Sequence, residues 1–239
     1  MAFFIASATM LPPMPLDLGV LISGRGSNLQ AILDAIAAGK LDARVALVIS
    51  NRPGVQGLAR AEAAGVPTLI VNHKEYGSRQ EFDAAMVDAL RRHGVSWIVL
   101  AGFMRIVTSV LLDAFPHRVI NIHPSLLPAF PGVNAQAAAL AHGARIAGCT
   151  VHLVDSGTDT GPILAQAAVP VVDGDTEESL SERILHREHQ LLVHVLSAVA
   201  QDKLLVEAHE GKTRARLQGL PMALGVEQVS LDQPHEATT

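Results

Sequence analysis

Cysteine is almost missing from this sequence. Cys149 stands alone among 239 residues, which excludes an internal disulfide and any cysteine cluster of the kind that binds zinc. It lies between a glycine and an apolar alternation that reads as a strand, so it is expected to be a packing residue. An excess of positive charge is missing too. With 18 Lys and Arg against 23 Asp and Glu, interspersed, the net charge is -5, and no broad basic stripe is available for a nucleic-acid backbone. Any anionic ligand must be held locally. No segment approaches the roughly 18 to 20 uninterrupted apolar residues of a membrane helix. The first sixteen residues are apolar, but there is no Lys or Arg before Arg25, and Pro12, Pro13 and Pro15 interrupt the run. That is a poor secretory signal. Residues 1–16 read as a loose extension, with Met10 or Met14 as an alternative initiator. The expectation is a soluble cytoplasmic protein with neither nucleic acid nor membrane as a partner.

What is present is a core. Hydrophobic residues make up 49% of the chain, ample for one large domain. Strand-like runs at Leu18 to Ile22, Val45 to Ile49, Thr68 to Val71, Trp97 to Leu100 and Val119 to Ile122 are separated, over the first four, by helical patterns at Asn28 to Ala38, Gln56 to Ala64 and Arg79 to His93. This alternation is that of βαβ units and a parallel sheet. In the first helix Leu29, Ile32, Leu33 and Ile36 share one face, Ser27 and Gln30 have capping-box spacing, and Gly39 ends the pattern. The second half changes character. Cys149 to Val154 and Ile163 to Val169 read as two strands joined by a short polar loop, hence an antiparallel hairpin at one side of the sheet. A long helix is predicted from about Glu177 to Ala200, burying Leu180, Ile184, Leu191, Val195 and Leu196. From residue 211 the chain turns polar, with Gly211, Gly219 and Pro221 scattered through it, and a loosely attached tail over 211–239 is expected. The fold class is α/β, a mostly parallel twisted sheet flanked by helices, in a single domain over 17–210.

The chemistry concentrates in three places. In Asn121-Ile122-His123-Pro124-Ser125-Leu126-Leu127-Pro128 an amide and an imidazole lie two apart where a strand gives way to a loop, so both project from one face at the strand's carboxyl end. A donating amide and a proton-shuttling imidazole suit a tetrahedral acyl-transfer intermediate. The loop Ser23-Gly24-Arg25-Gly26-Ser27-Asn28 leaves the first strand and enters the first helix, where backbone N–H groups and the helix dipole converge on a phosphate-sized anion. It lacks the Walker lysine and the third glycine of a dinucleotide fingerprint, and the strand after the helix ends in Ser50-Asn51-Arg52 without the carboxylate that holds a ribose diol. A tight strand-to-helix turn accounts for the same residues. Third, Asp159 lies in Asp155-Ser156-Gly157-Thr158-Asp159-Thr160-Gly161-Pro162, where a carboxylate brought beside His123 would favour its protonated form and fix its orientation. Aspartates among glycines are equally turn residues. A metal site from Asp155, Asp159 and His123 is the weaker reading, since the chain has no HExxH. His152 alternates with Val151 and Leu153 and can face the same cleft or serve structure alone. The other histidines read as boundary or loop residues. Ala101 to Ile106 follows a strand and can line a slot for a planar ring, or be core.

Taken together, these segments closely resemble the folate-dependent glycinamide ribonucleotide formyltransferases of purine biosynthesis. The likeness extends from about Leu18 to about Leu205. It rests on Leu21-Ile22-Ser23-Gly24-Arg25-Gly26-Ser27-Asn28-Leu29-Gln30, Ser50-Asn51-Arg52, Leu100-Ala101-Gly102-Phe103-Met104-Arg105-Ile106, the Asn121 to Pro128 run and Asp159-Thr160-Gly161-Pro162, in that order. The resemblance implies a Rossmann-like formyltransferase fold and a catalytic trio of Asn121, His123 and Asp159. It implies that Gly26, Ser27 and Asn28 hold the phosphate of the ribonucleotide, with Glu188 helping to hold the same substrate. Arg79, Met104, Arg105, Ile106 and Val107 would contribute to the 10-formyltetrahydrofolate site, with Asn121 reaching its formyl group. Folate is then a co-substrate, and no metal is required. The stretch Ala129 to Ala137, which reads as a loop, departs from relatives that carry basic or histidine residues there.

Other readings remain in the sequence. Methionyl-tRNA formyltransferases share the Asn-x-His-Pro-Ser core but carry a further C-terminal domain and a basic surface. Formyl-folate hydrolases carry an N-terminal regulatory domain, for which sixteen residues leave no room. A non-catalytic folate- or nucleotide-binding relative would bind without turnover, and a nicotinamide-dependent oxidoreductase would bind NADP. The expected partners are small molecules, with monomer and homodimer both open.

Overall fold

The computed structural model describes residues 16–209, 212–219 and 223–224. The expected extension therefore lies outside the described residues, except for Leu16, which opens the first strand.

Nine elements of the first five βα repeats alternate along the chain: β1 (Leu16–Ile22), α1 (Ser27–Ala37), β2 (Ala43–Ser50), α2 (Gln56–Ala63), β3 (Thr68–Ile70), α3 (Arg79–Arg92), β4 (Trp97–Leu100), α4 (Ser109–Ala114) and β5 (Val119–His123). There follow α5 (Ala135–Ala141), β6 (Ile146–Leu153), β7 (Ile163–Pro170), α6 (Glu177–Ala200), β8 (Leu204–His209), β9 (Lys212–Leu217) and β10 (Ala223–Leu224). The main sheet has eight strands in the order β10-β7-β6-β5-β4-β1-β2-β3. β1 to β5 are mutually parallel, and β6 runs antiparallel to both β5 and β7. This is the mostly parallel sheet with an antiparallel hairpin that the sequence predicts.

Alternation along the buried strands builds two cores. Leu18, Val20 and Ile22 of β1 pack with α1, α2 and α6 on one face, while Leu21 packs with α3 and α4 on the other. Because β2 and β3 lie on one side of β1 and β4 and β5 on the other, the order reverses between β1 and β4. The loops after these two strands diverge there and leave a crevice at the carboxyl ends.

Three local expectations are corrected. Ser27 is the first residue of α1 and not its cap; Gly26 caps it in the left-handed region (φ 69°), and Gln30 instead donates to Asp34 at 2.8 Å. A Cβ on Gly26 would sit 2.6 Å from the Gly57 Cα, so only glycine lets this turn pack on α2. The stretch after Pro128, read as loop as far as Ala137, forms α5 from Ala135, since a run of alanines has high helix propensity and Asn134 turns the chain into it at φ 59°. The segment expected to be a tail from residue 211 contains β9, paired antiparallel with β8, and β10, paired with β7. β8 and β9 form a two-stranded sheet of their own, polar along most of its length, with Leu217 buried against the core.

Candidate active site

Asn121 and His123 leave β5 toward the face opposite Ile120 and Ile122, which point into the core under α6. The antiparallel register sets His152 directly across from Asn121 and Thr150 across from His123. One face of two adjacent strands thus carries four polar side chains at the crevice.

Their hydrogen bonds assign each a part. His152 has Nδ1 2.9 Å from the Leu153 carbonyl, to which it donates, so its Nε2 accepts from the Asn121 amide at 3.1 Å. An amide nitrogen carries two N–H bonds, and this leaves the second for another acceptor. His123 donates from Nε2 to the carbonyl of Phe130 at 3.0 Å and turns Nδ1 toward Asp159 Oδ2 at 3.4 Å. Asp159 Oδ2 also accepts the Gly132 N–H at 2.7 Å, and its Oδ1 lies 3.7 Å from His152 Nε2. Burial works to raise the Asp159 carboxyl, but the hydrogen bonds and charges around it, the Gly132 N–H and His123 among them, outweigh it and hold the group below the ordinary carboxylate range. It is a carboxylate at neutral pH, set between two imidazoles.

Asp159 reaches this position because the β6–β7 connection is tight. It adopts φ 56°, a left-handed conformation that Asp tolerates, and a Cβ on Gly161 would collide with the Leu153 carbonyl. Asp155, by contrast, is a turn residue, accepting from Gly157 N and Thr160 Oγ1. It does not join His123, and among the described residues no group of three or more His, Cys, Asp or Glu is disposed to hold a metal.

The loop after His123 is fixed from below by groups the sequence reading passed over. Thr150, fully buried, donates to the Ser125 carbonyl at 2.7 Å and accepts from Leu127 N–H at 3.0 Å. Gln166 of β7 donates both to Thr150 Oγ1 and to the Leu127 carbonyl. The only available signal was position: Thr150 lies two residues before His152 on the same strand and therefore on the same face.

Across the crevice, the N-terminus of α1 has no side-chain cap and no acidic residue in its first turn, and its first internal bond runs from Gln30 N to Gly26 O. The N–H groups of Ser27, Asn28 and Leu29 are therefore outside the helical ladder. Asn28 Nδ2 donates to Glu188 Oε2 at 2.8 Å from beneath, and its Oδ1 is buried without a partner. Burial raises the Glu188 carboxyl, opposed by the Asn28 bond. Cys149 packs below, its thiol pushed up to about 12 by burial and then by Glu188, which leaves it inert as a nucleophile.

Of the residues expected to meet a folate, Met104 and Ile106 are 61% and 54% exposed at the edge of the crevice. Arg79 is exposed at the start of α3 and Arg105 is half-buried, whereas the Val107 side chain is buried in the core and offers only its backbone. A parallel α/β sheet with an amide, an imidazole and a carboxylate at its carboxyl edge, facing an uncapped helix N-terminus, defines a group-transfer enzyme of the Rossmann-like class. The sequence profile of the formyl transferase family matches residues 17–196, and the chain belongs to that family.

Relatives are similar over most of this chain. Phosphoribosylglycinamide formyltransferase from Mycobacterium tuberculosis is 49% identical over 189 residues, which cover 79% of this chain and 87% of that protein. The trifunctional purine biosynthetic protein adenosine-3 of Drosophila pseudoobscura pseudoobscura is 49% identical over 187 residues, 77% of this chain; the match spans 14% of that longer protein's length. Among solved structures, glycinamide ribonucleotide transformylase 1 from Symbiobacterium toebii superposes with a TM-score of 0.83 at 50% identity, covering 86% of this chain and 95% of that one.

Proposed function

We propose that this chain transfers the formyl group of 10-formyltetrahydrofolate to the primary amine of 5'-phosphoribosylglycinamide, giving formylglycinamide ribonucleotide and tetrahydrofolate, and that it does so in the cytoplasm on small molecules. The observation that carries this reading is the convergence of Asn121, His123 and Asp159 in a member of the formyl transferase family.

The amine attacks the formyl carbon, and the carbonyl oxygen becomes an oxyanion. It takes the second Asn121 N–H and the Nε2–H of a protonated His123, replacing the Phe130 carbonyl as acceptor. Asp159 balances the imidazolium charge and holds its ring from the Nδ1 side. Collapse of the intermediate breaks the bond from carbon to N10, the surplus proton of the former amine passes to N10, and tetrahydrofolate leaves.

Gly26, Ser27 and Asn28 are assigned to the phosphate through the backbone N–H groups and dipole of α1, with the Ser27 hydroxyl as a further donor. Glu188 is assigned to the ribonucleotide from below, with Asn28 setting its position. The strip from Met104 to Val107, with Arg79, is assigned to the folate.

The test is folate absorbance on mixing the protein with 10-formyl folate, with and without glycinamide ribonucleotide. Folate release that requires the ribonucleotide supports transfer. Release without it identifies a hydrolase, and binding without release in either condition identifies a different acceptor or a silent relative.

A further inference from the structure

The strip between β4 and α4 has no regular hydrogen-bonding of its own, yet it presents Met104 and Ile106 outward at defined positions. Two buried side chains account for this. At one end the Met104 N–H donates to Ser23 Oγ at 2.8 Å, and the same hydroxyl donates to Asn51 Oδ1 at 2.6 Å. Ser23 opens the loop that runs into α1, so this hydroxyl bridges the loops diverging from β1 and β4 at the point where strand order reverses. At the other end Asp83 of α3, 1% exposed, accepts both the N–H and the hydroxyl of Thr108 on its Oδ2, at 2.5 and 2.8 Å. Phe103, just before the first anchor, and Val107, between the two, are buried, with Phe103 stacked on Phe82 of α3.

Asp83 is a costly way to hold a loop. Its Oδ1 is buried with no partner, and the nearest opposing charges are Arg79, one turn earlier on α3, and Arg105 on the strip itself.

We propose that Ser23 and Asp83 are positioning residues that clamp the two ends of the 103–108 strip, setting its affinity for the folate, and that Ser23 couples this strip to the phosphate loop. The inference rests on the folate assignment above. Neither residue touches the reacting atoms, so the clamp acts on binding and leaves the chemical step alone.

The experiment compares Asp83→Ala, Asp83→Asn, Thr108→Val and Ser23→Ala by steady-state kinetics and by hydrogen–deuterium exchange of the strip. Asp83→Ala is expected to raise the folate KM roughly tenfold or more, the scale of losing bonds to a charged acceptor, with kcat and the ribonucleotide KM within about twofold. Asp83→Asn, which keeps a carbonyl for Thr108, recovers most of that loss. Thr108→Val keeps the N–H bond and shows a smaller rise, which also decides the matter if Asp83→Ala does not fold. Ser23→Ala raises KM for both substrates. In every clamp variant exchange at 104–108 speeds up relative to β4. Unchanged folate KM and unchanged exchange in folded Asp83→Ala or Thr108→Val overturns the proposal, as does an equal rise in both KM values for Asp83→Ala. Should the wild type neither bind nor use 10-formyl folate, the folate assignment fails, and the exchange data alone then decide whether the clamp exists.

Discussion

A single amide shows how the groups in the crevice are oriented. Asn121 shares its two N–H bonds between His152 and the crevice, so the register partner across the strand pair fixes which way the amide faces. Loss of one donor aimed at an oxyanion costs about 10²- to 10³-fold in turnover. Asn121→Ala, His123→Ala and Asp159→Asn are each expected to lower kcat by at least that factor in proteins whose circular dichroism is unchanged. Near-normal kcat in His123→Ala would remove the role given to it. Asp159 also has a stability consequence. Its folded pKa is depressed, so the stabilisation it supplies is complete above the ordinary carboxylate range and is lost as pH falls through the depressed value. Urea midpoints of wild type and Asp159→Asn should differ at pH 7 and converge in acid; a constant gap would mean that ionisation of this group does not matter to the fold.

Elements place these groups, and two of them can be tested as elements. The turn into α1 depends on glycine at 26, where the positive φ and the 2.6 Å approach to Gly57 both oppose a side chain. Gly26→Ala is expected to destabilise by about 1–2 kcal/mol from the left-handed backbone alone. It should also raise the ribonucleotide KM more than the folate KM, since it displaces the first N–H groups of α1. Equal effects on both would detach the loop from the phosphate. At the start of α6, Thr176 forms a capping box with Ser179, and Asp175 takes a bidentate Arg183 and the Val172 N–H. The Arg183 bond, then the Val172 N–H and Ser179, hold Asp175 far below the ordinary carboxylate range. The stability it lends is present above that range and lost on acidification. Asp175→Asn should lower Tm at pH 7, with the difference shrinking as the pH of the melt is lowered; equal Tm at pH 7 would assign the cap to Thr176 alone.

For the molecule as a whole, buried carboxylates pull in opposite directions. Glu188 and Asp83 are raised, chiefly by burial, so each favours the folded state most when protonated, and that contribution is lost as pH rises through the raised value. Glu188→Gln, which keeps an acceptor for Asn28 Nδ2, is expected to raise Tm at pH 7 while weakening ribonucleotide binding. A fall in Tm would show that the charge itself is stabilised by surroundings beyond Asn28.

Much of this was legible in the sequence. Period-two and period-3.6 patterns located β1 to β7 and the longer helices, because long amphipathic segments advertise which face they bury. Leu29, Ile32, Leu180 and Ile184 do point into the core where their spacing directs them. The short α4, the alanine-rich α5 and the β8–β9 pair did not announce themselves, since six or seven residues carry little periodicity and a two-stranded hairpin buries little. Asn121 and His123 were recognisable as a pair because two residues on a strand share a face by local geometry.

What the sequence determined alone was therefore whatever lies within one element or one turn: the strands and helices, the pairing of Asn121 with His123, the glycine at 26, and the inertness of a lone cysteine. Only the tertiary structure decided which distant groups meet. Asp159 comes beside His123, His152 orients Asn121, Asn28 binds Glu188 across 160 positions, and Ser23 and Asp83 grip a strip some 81 and 25 positions away. Such contacts follow from strand order and register, which are set by how all the apolar faces close on one another at once, and no local pattern in the chain encodes them.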